Sequence, residues 1–335
     1  MKTDTVLRIL SSPLAAILGF RPLLGISGLN QVAPFYHAVS DEELPHIAPI
    51  YSIRSTAAFR KDLEVISRHF QFVDPLQFRD GILSNARSRL ALLSFDDGLA
   101  ECYDVIRPIL IEMGIPAVFF INPDFLGDRE IFYRYKVGLL LSALKGREGS
   151  SLSRDLILKL KDQGKYKGDL KRSLLSLSWQ DEKLINDNFS LLNIKFWNRS
   201  IYMNDEQVNK MLEQGFYFGG HGMCHRAFSS MTTEERLNEI SESVQFCTHE
   251  LQQKLRLFAF PFYDFDMSAS FMKKMLDEVD LTLSFGSSGP KKDIHPLLIQ
   301  RMDMEKNKGG SQAFLKRKLA EQGLKKLFNR HIMIR

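Results

Sequence analysis

The chain has 335 residues, 44% of them hydrophobic and 25% charged, with a formal net charge of +5. Those proportions exclude a disordered chain and allow one barrel-sized domain or two ordinary ones. The three cysteines, Cys102, Cys224 and Cys247, are odd in number and lack C-x-x-C spacing, so they suggest neither a disulfide framework nor a cysteine zinc site. A reducing compartment is the simpler reading.

Residues 1–30 read as an amphipathic N-terminal segment. Arg8, Pro13, Arg21 and Pro22 interrupt its apolar stretch, the uncharged run from Ile9 to Phe20 is too short to cross a bilayer, and no small-residue cleavage site precedes Phe35. A helix packed on the domain or resting on a membrane surface fits better than an export signal. Apolar, β-rich runs then predict strands over 32–39, 90–95, 117–121, 216–219, 257–260 and 281–285, with weaker candidates near Phe72 and Leu297. Helical spacing occupies 56–70, 99–113, 205–214, 233–255 and 268–279, and Thr232 with Glu235 forms a capping-box signature.

Residues 128–200 break this rhythm. The stretch is rich in leucine and lysine and reads as a helical insertion, because a structureless loop of that length is improbable. Residues 306–335 carry nine Lys/Arg against the single acid Glu321, interleaved with Phe314, Leu315, Leu319, Leu324, Leu327 and Phe328. They predict a basic C-terminal helix whose stripe packs on the domain, with a membrane-surface or anionic-substrate role as the alternative. No RNP pattern, zinc-finger spacing or helix-turn-helix signal stands out, so nucleic acid is not an expected partner. Strand–helix alternation argues for a parallel sheet covered by helices, and the missing G-x-G-x-x-G turn after the first strand favours a closed barrel over an open nucleotide-binding sheet.

The chemistry falls at strand ends. Asp96 and Asp97 follow the apolar run 90–95, His221 follows 216–220, and Pro261-Phe262-Tyr263 follows 257–260. In a parallel barrel all strand C-termini open onto one face, so these segments converge on a single site. Adjacent carboxylates cannot both face inward along a strand, so Asp96 and Asp97 must sit at a bend that Gly98 permits. Two carboxylates and two imidazoles suffice for three ligands around a hydrolytic metal, with one carboxylate left as base. Gly219 and Gly220 would keep backbone bulk out of the cavity.

Five segments in order, Tyr36-His-Ala-Val39, Leu93-Ser-Phe-Asp-Asp-Gly98, Ala117-Val-Phe-Phe-Ile121, Gly219-Gly-His-Gly-Met-Cys-His225 and Phe258-Ala-Phe-Pro-Phe-Tyr263, resemble the polysaccharide deacetylases, carbohydrate esterases with a NodB homology domain. The resemblance spans roughly 35–303 outside the insertion. It implies an α/β fold, a distorted (β/α)7 barrel over 31–305, and metal-dependent removal of N-acetyl groups from a saccharide. Carried over by position, Asp97, His221 and His225 bind the metal, zinc above all, and Asp96 is the general base. The Phe262 amide after Pro261 would help hold the oxyanion, and Phe262 and Tyr263 could stack on a sugar ring.

The chain departs from the family pattern at three places. Gly222 replaces the Ser or Thr that often follows the first histidine, Ala259 stands where an arginine often tunes the base, and the late histidine acid has no clear counterpart. Arg301 is the candidate replacement for the arginine and His295 for the acid, while His37 could face the same cavity. Trp179 and Trp197 could line an acceptor groove or form the core of the insertion. The expected setting is cytoplasmic, or peripheral at the inner face of the membrane, in surface polysaccharide or glycolipid biosynthesis on nucleotide- or lipid-linked saccharides. The rivals are a deformylase or amidase on a related small amide, and a catalytically weak, metal-binding glycan-recognition protein.

Overall fold

The computed structural model describes residues 2–147, 149–192, 199–307 and 309–335. Its strands in chain order are β1 (Gln31–Val32), β2 (Pro34–Tyr36), β3 (Gln71–Phe72), β4 (Leu90–Ala91), β5 (Leu93–Phe95), β6 (Ala117–Ile121), β7 (Tyr217–Gly220), β8 (Leu257–Ala259), β9 (Leu283–Gly286), β10 (Leu298–Gln300) and β11 (Met302–Asp303). The helices are α1 (Lys2–Ile17), α2 (Phe20–Ser27), α3 (Thr56–Ser67), α4 (Pro75–Leu83), α5 (Arg107–Met113), α6 (Tyr133–Leu144), α7 (Ser151–Asp162), α8 (Leu170–Leu175), α9 (Glu182–Phe189), α10 (Asp205–Glu213), α11 (Thr233–His249), α12 (Ala269–Val279) and α13 (Ser311–Leu327).

All pairings between these strands are parallel, in the order β10-β9-β8-β7-β6-β5-β2-β11. The two ends of that order are consecutive in sequence. β10 pairs with β9 while β11, one residue further on, pairs with β2. One broken stave therefore closes the sheet, and with β1/β2 and β4/β5 also forming single interrupted staves the result is a distorted seven-stave barrel, as the sequence resemblance implied. The β3 strand lies outside it, extending the lower layer β1-β4-β3.

Staves buried on both faces explain why the runs are apolar throughout rather than alternating. Val118 and Phe120 join Leu92, Leu257, Ala259, Leu283 and Phe285 in one cluster, while Ala117, Phe119 and Ile121 pack outward among the helices. The Thr232–Glu235 capping box forms as expected at the start of α11. Residues 128–200 hold α6 to α9, which pack their own small core around Leu140, Leu156, Leu160 and Leu184. Of the C-terminal stripe, Phe314, Leu315 and Leu319 are buried in the main core and Leu327 and Phe328 are exposed.

The two β7 glycines serve packing, correcting the expectation that they clear the cavity. A Cβ on Gly219 would press on Phe120 and Leu257, and one on Gly220 would strike Ser243 of α11, side chain and backbone alike. Close approach of the neighbouring staves is the reason at Gly219, and close approach of α11 at Gly220. Gly220→Ala should destabilise the fold by ~1–3 kcal/mol through overpacking, read as a lower urea midpoint at unchanged slope.

Candidate active site

Parity along the staves sets where the acids go. Leu92, Ser94 and Asp96 share the inner face, so Asp96 points into the barrel mouth, where Arg301 meets it through two bonds of 2.6 and 2.8 Å. Asp97 has the opposite parity. Its backbone enters the left-handed region at φ 71°, followed by Gly98 at φ 66°, and this bend returns its carboxylate over the mouth. The sequence-expected bend at the acids is therefore present, and its cost falls on a non-glycine residue.

Arg301 sits at the break between β10 and β11 and is 1% exposed. Its guanidinium lies 4.3 Å from the Phe35 ring centroid and also bonds Ser94 Oγ and the Gly286 carbonyl. Burial alone would raise the Asp96 carboxyl, but the adjacent Arg301 overrides it and lowers the group below the usual carboxylate range. Arg301 thus places a positive charge directly on Asp96, where Ala259 offers none.

His221 Nδ1 lies 2.8 Å from the Ala259 carbonyl, which can only accept. The proton is on Nδ1, and Nε2 presents its lone pair 3.5 Å from Asp97 Oδ1. His225 Nε2 lies 3.2 Å from the same oxygen, and burial lowers this imidazole, keeping it neutral. Donor atoms of Asp97, His221 and His225 all lie within 4.8 Å of one another, and Asp97 Oδ1 is buried without a hydrogen bond. Three converging lone pairs around an orphaned carboxylate oxygen fit a divalent cation. The loop between the histidines is held by groups that the sequence did not point to. Asn122 donates to the His221 and Gly222 carbonyls, and Glu239 of α11 accepts from the Met223 amide at 2.6 Å, supplying the shaping that a side chain at Gly222 would have given.

Tyr135, also unforeseen, comes from α6 of the insertion. It is buried and donates to the second oxygen of Asp97, and Tyr51 donates to it in turn at 3.1 Å. Across the cavity His37 Nδ1 pairs with Glu305 at 2.7 Å, while the other Glu305 oxygen accepts the His37 and Ala38 amides. Burial opposes the imidazolium, yet Glu305 wins and raises His37 from 6.5 to about 10. The cavity these groups share is about 660 Å³, and Tyr51, Phe132, Arg134, Phe262, Ser287 and Lys306 line it as well.

Other expectations are corrected. His295 is not among the groups that line the cavity. It precedes β10, at the N-terminal end of the stave, and its Nδ1 accepts from the Leu297 amide. Tyr263 is 40% exposed and stacks on Phe265 rather than facing the mouth. Pro261 is buried behind the Gly222 loop, whereas Phe262 does line the cavity in a left-handed conformation, φ 60°, packed on His225. Trp179 bonds Ser230 and lies under Arg226, docking the insertion on the loop after His225 rather than lining the cavity. Trp197 lies outside the described residues.

A three-residue donor set beside a second carboxylate held by an arginine is an arrangement suited to activating water, the chemistry of a hydrolase. Residues 185–278 match the family model described as polysaccharide deacetylase. No curated protein matches the chain in sequence. Among solved structures, the deacetylase PplD of Streptococcus pyogenes, solved with acetate, is similar at a TM-score of 0.54 and 13% identity, covering 86% of this chain and 97% of that one. IcaB from Ammonifex degensii gives 0.54 and 15% over 87% and 97%, and a de-N-acetylase from Aggregatibacter actinomycetemcomitans gives 0.52 and 14% over 85% and 99%. These likenesses establish the fold. Over residues 185–278, then, the chain is similar in sequence to the polysaccharide deacetylases.

The Tyr135 bond fixes one oxygen of a candidate ligand so that the other can face the cation. Tyr135→Phe should therefore weaken metal binding ~10–100-fold in competition with a chromophoric chelator, with the circular dichroism spectrum unchanged.

Proposed function

We propose that the protein removes N-acetyl groups from a saccharide, using a divalent metal, zinc, in surface polysaccharide or glycolipid biosynthesis. The observation that carries this reading is the Asp96–Arg301 pair beside the Asp97, His221 and His225 donor set, with the protonated His37–Glu305 pair across the same cavity. Two imidazoles and one carboxylate, leaving positions open, suit zinc. Bound there, the cation would supply Lewis-acid activation of water and of the acetyl carbonyl.

The chain's own groups account for the proton traffic. Asp96, held ionised by Arg301, takes a proton from water as the water oxygen bonds to the acyl carbon. The Phe262 amide, which donates to no other group among the described residues, is available to the developing oxyanion. His37 gives its proton to the nitrogen as the carbon–nitrogen bond breaks, releasing acetate and leaving an amine. The acetate complex of the Streptococcus pyogenes relative supports acetyl over formyl as the leaving acyl group. The Arg301 guanidinium on Asp96 and the His37–Glu305 pair in the same cavity support turnover over the binding-only rival.

Tyr51, Phe132 and Phe262 offer flat faces to a sugar ring, and Arg134 and Lys306 put positive charge at the rim, which supports a nucleotide- or lipid-linked phosphosaccharide. Free Cys102, Cys224 and Cys247 support a cytoplasmic setting.

With divalent metal, the purified protein should release acetate from an N-acetylated saccharide, measured by an acetate-coupled assay. Asp96→Asn should lower kcat by ~10²–10⁴-fold while metal content is retained. Failure of the wild type to release acetate from any such saccharide or lipid-linked precursor ends the reading. Glu305→Gln removes the charge that raises His37, so the competent protonated form is lost at lower pH. The alkaline limb of the pH–rate profile should move down by at least ~1 unit, and an unmoved limb would reject His37 as the donor.

A further inference from the structure

Helix α1 has two apolar faces, and only one of them is used. Leu7, Ser11 and Ala15, spaced by one turn, are buried against the body, and Ala15 shares a cluster with Phe314, Leu315 and Leu319 of α13. On the opposite side Val6, Leu10, Pro13 and Ile17 recur at i, i+4, i+7 and i+11, with Ile9 beside them. All five face solvent, Ile17 at 82% and Ile9 at 63% exposed. A single exposed leucine is ordinary, whereas an aligned stripe of apolar side chains over about three turns is not. The stripe continues in kind at the ends of α2 and α13. Ile26 of α2 lies on Gly323, and one turn beyond Gly323 stands Leu327, 75% exposed, followed by Phe328.

Charge identifies what such a surface fits. Helix α13, the neighbour of α1, carries Lys316, Arg317, Lys318, Lys325 and Lys326 against the single acid Glu321. Glu321 is engaged by Lys325 and Lys318, and among the described residues Lys316, Arg317 and Lys326 form no ion pair. Arg21 is exposed at the start of α2. Packed helices stand about 8–10 Å apart, comparable to the Debye length of about 8 Å at physiological salt, so the charge of α13 is felt beside the α1 stripe. Spanning is excluded for the described helices, none of which is long and apolar enough to cross a membrane.

We propose that α1, with the adjoining ends of α2 and α13, is a peripheral docking face for an anionic lipid bilayer, the stripe lying in the interface and the basic helix beside it meeting the headgroups. The chemistry is apolar insertion plus Coulombic attraction, and neither alone accounts for a bare apolar stripe next to a helix with an excess of basic residues.

The test is co-sedimentation of the full chain with vesicles of phosphatidylcholine alone and of phosphatidylcholine mixed with phosphatidylglycerol. The wild type should partition to the anionic vesicles, less so as salt rises, and only weakly to the neutral ones. Ile9→Asp combined with Ile17→Asp should lower anionic-vesicle affinity at least ~10-fold, while circular dichroism and turnover of a soluble saccharide stay at wild-type values. Lys316→Glu with Lys326→Glu should remove the preference for anionic lipid. A wild type that stays in the supernatant, or a double aspartate variant that binds as well as the wild type, overturns the proposal. So does a wild-type dimer in sedimentation equilibrium that the aspartates dissociate without any vesicle binding, since the stripe would then be covered by a second copy.

Discussion

The Asp96–Arg301 pair is the constraint around which the barrel is arranged. A guanidinium with 1% exposure cannot stay charged in an apolar interior unless its donors are met, and here they are met by Asp96, Ser94 and the Gly286 carbonyl, with the Phe35 ring beneath. Arg301 also marks the point where the last stave changes partners, from β9 below to β2 above. Closure of the sheet and ionisation of Asp96 therefore share one interaction. Replacing either residue leaves its partner buried and uncompensated, so the pair is an element of the fold as well as of the candidate site.

Around that pair the backbone is bent where the chemistry needs it. Asp97, His225 and Phe262 all adopt positive φ, at 71°, 54° and 60°, and none is glycine. At Asp97 the turn brings back toward the mouth a group that strand parity would send outward, while His225 and Phe262 make theirs in the loops that follow β7 and β8. Such conformations persist because the surroundings over-determine them. Asp97 is held by Tyr135, His225 packs between Phe132 and Phe262, and the intervening loop is pinned by Asn122 and Glu239.

Much of this was legible before any coordinates. The apolar runs that became β5, β6, β8 and β9 are short, contiguous and bounded by polar turns, and the acids and histidines stand at their ends, so convergence followed from parallel topology alone. Arg301 was legible because a stave-end arginine could replace the one missing at Ala259. Tyr135 and Glu305 were not. One reaches the site from the insertion and the other from a turn 268 residues away from His37, and neither carries a periodic or spacing signal. The error at His295 came from chain proximity: it lies near Arg301 in sequence but at the wrong end of the stave. Tyr263 was misplaced by assuming that a motif residue shares its neighbour's direction, whereas the left-handed Phe262 reverses it.

The Tyr135–Asp97 bond ties the helical insertion to the donor set, and binding free energies are reciprocal. Whatever strengthens the hold on an ion at Asp97 must equally strengthen the seating of α6, and loosening α6 must release the ion more readily. The four helices that interrupt the barrel are then thermodynamically a reporter on occupancy, so backbone amides far from the mouth would exchange more slowly with solvent when the ion is present.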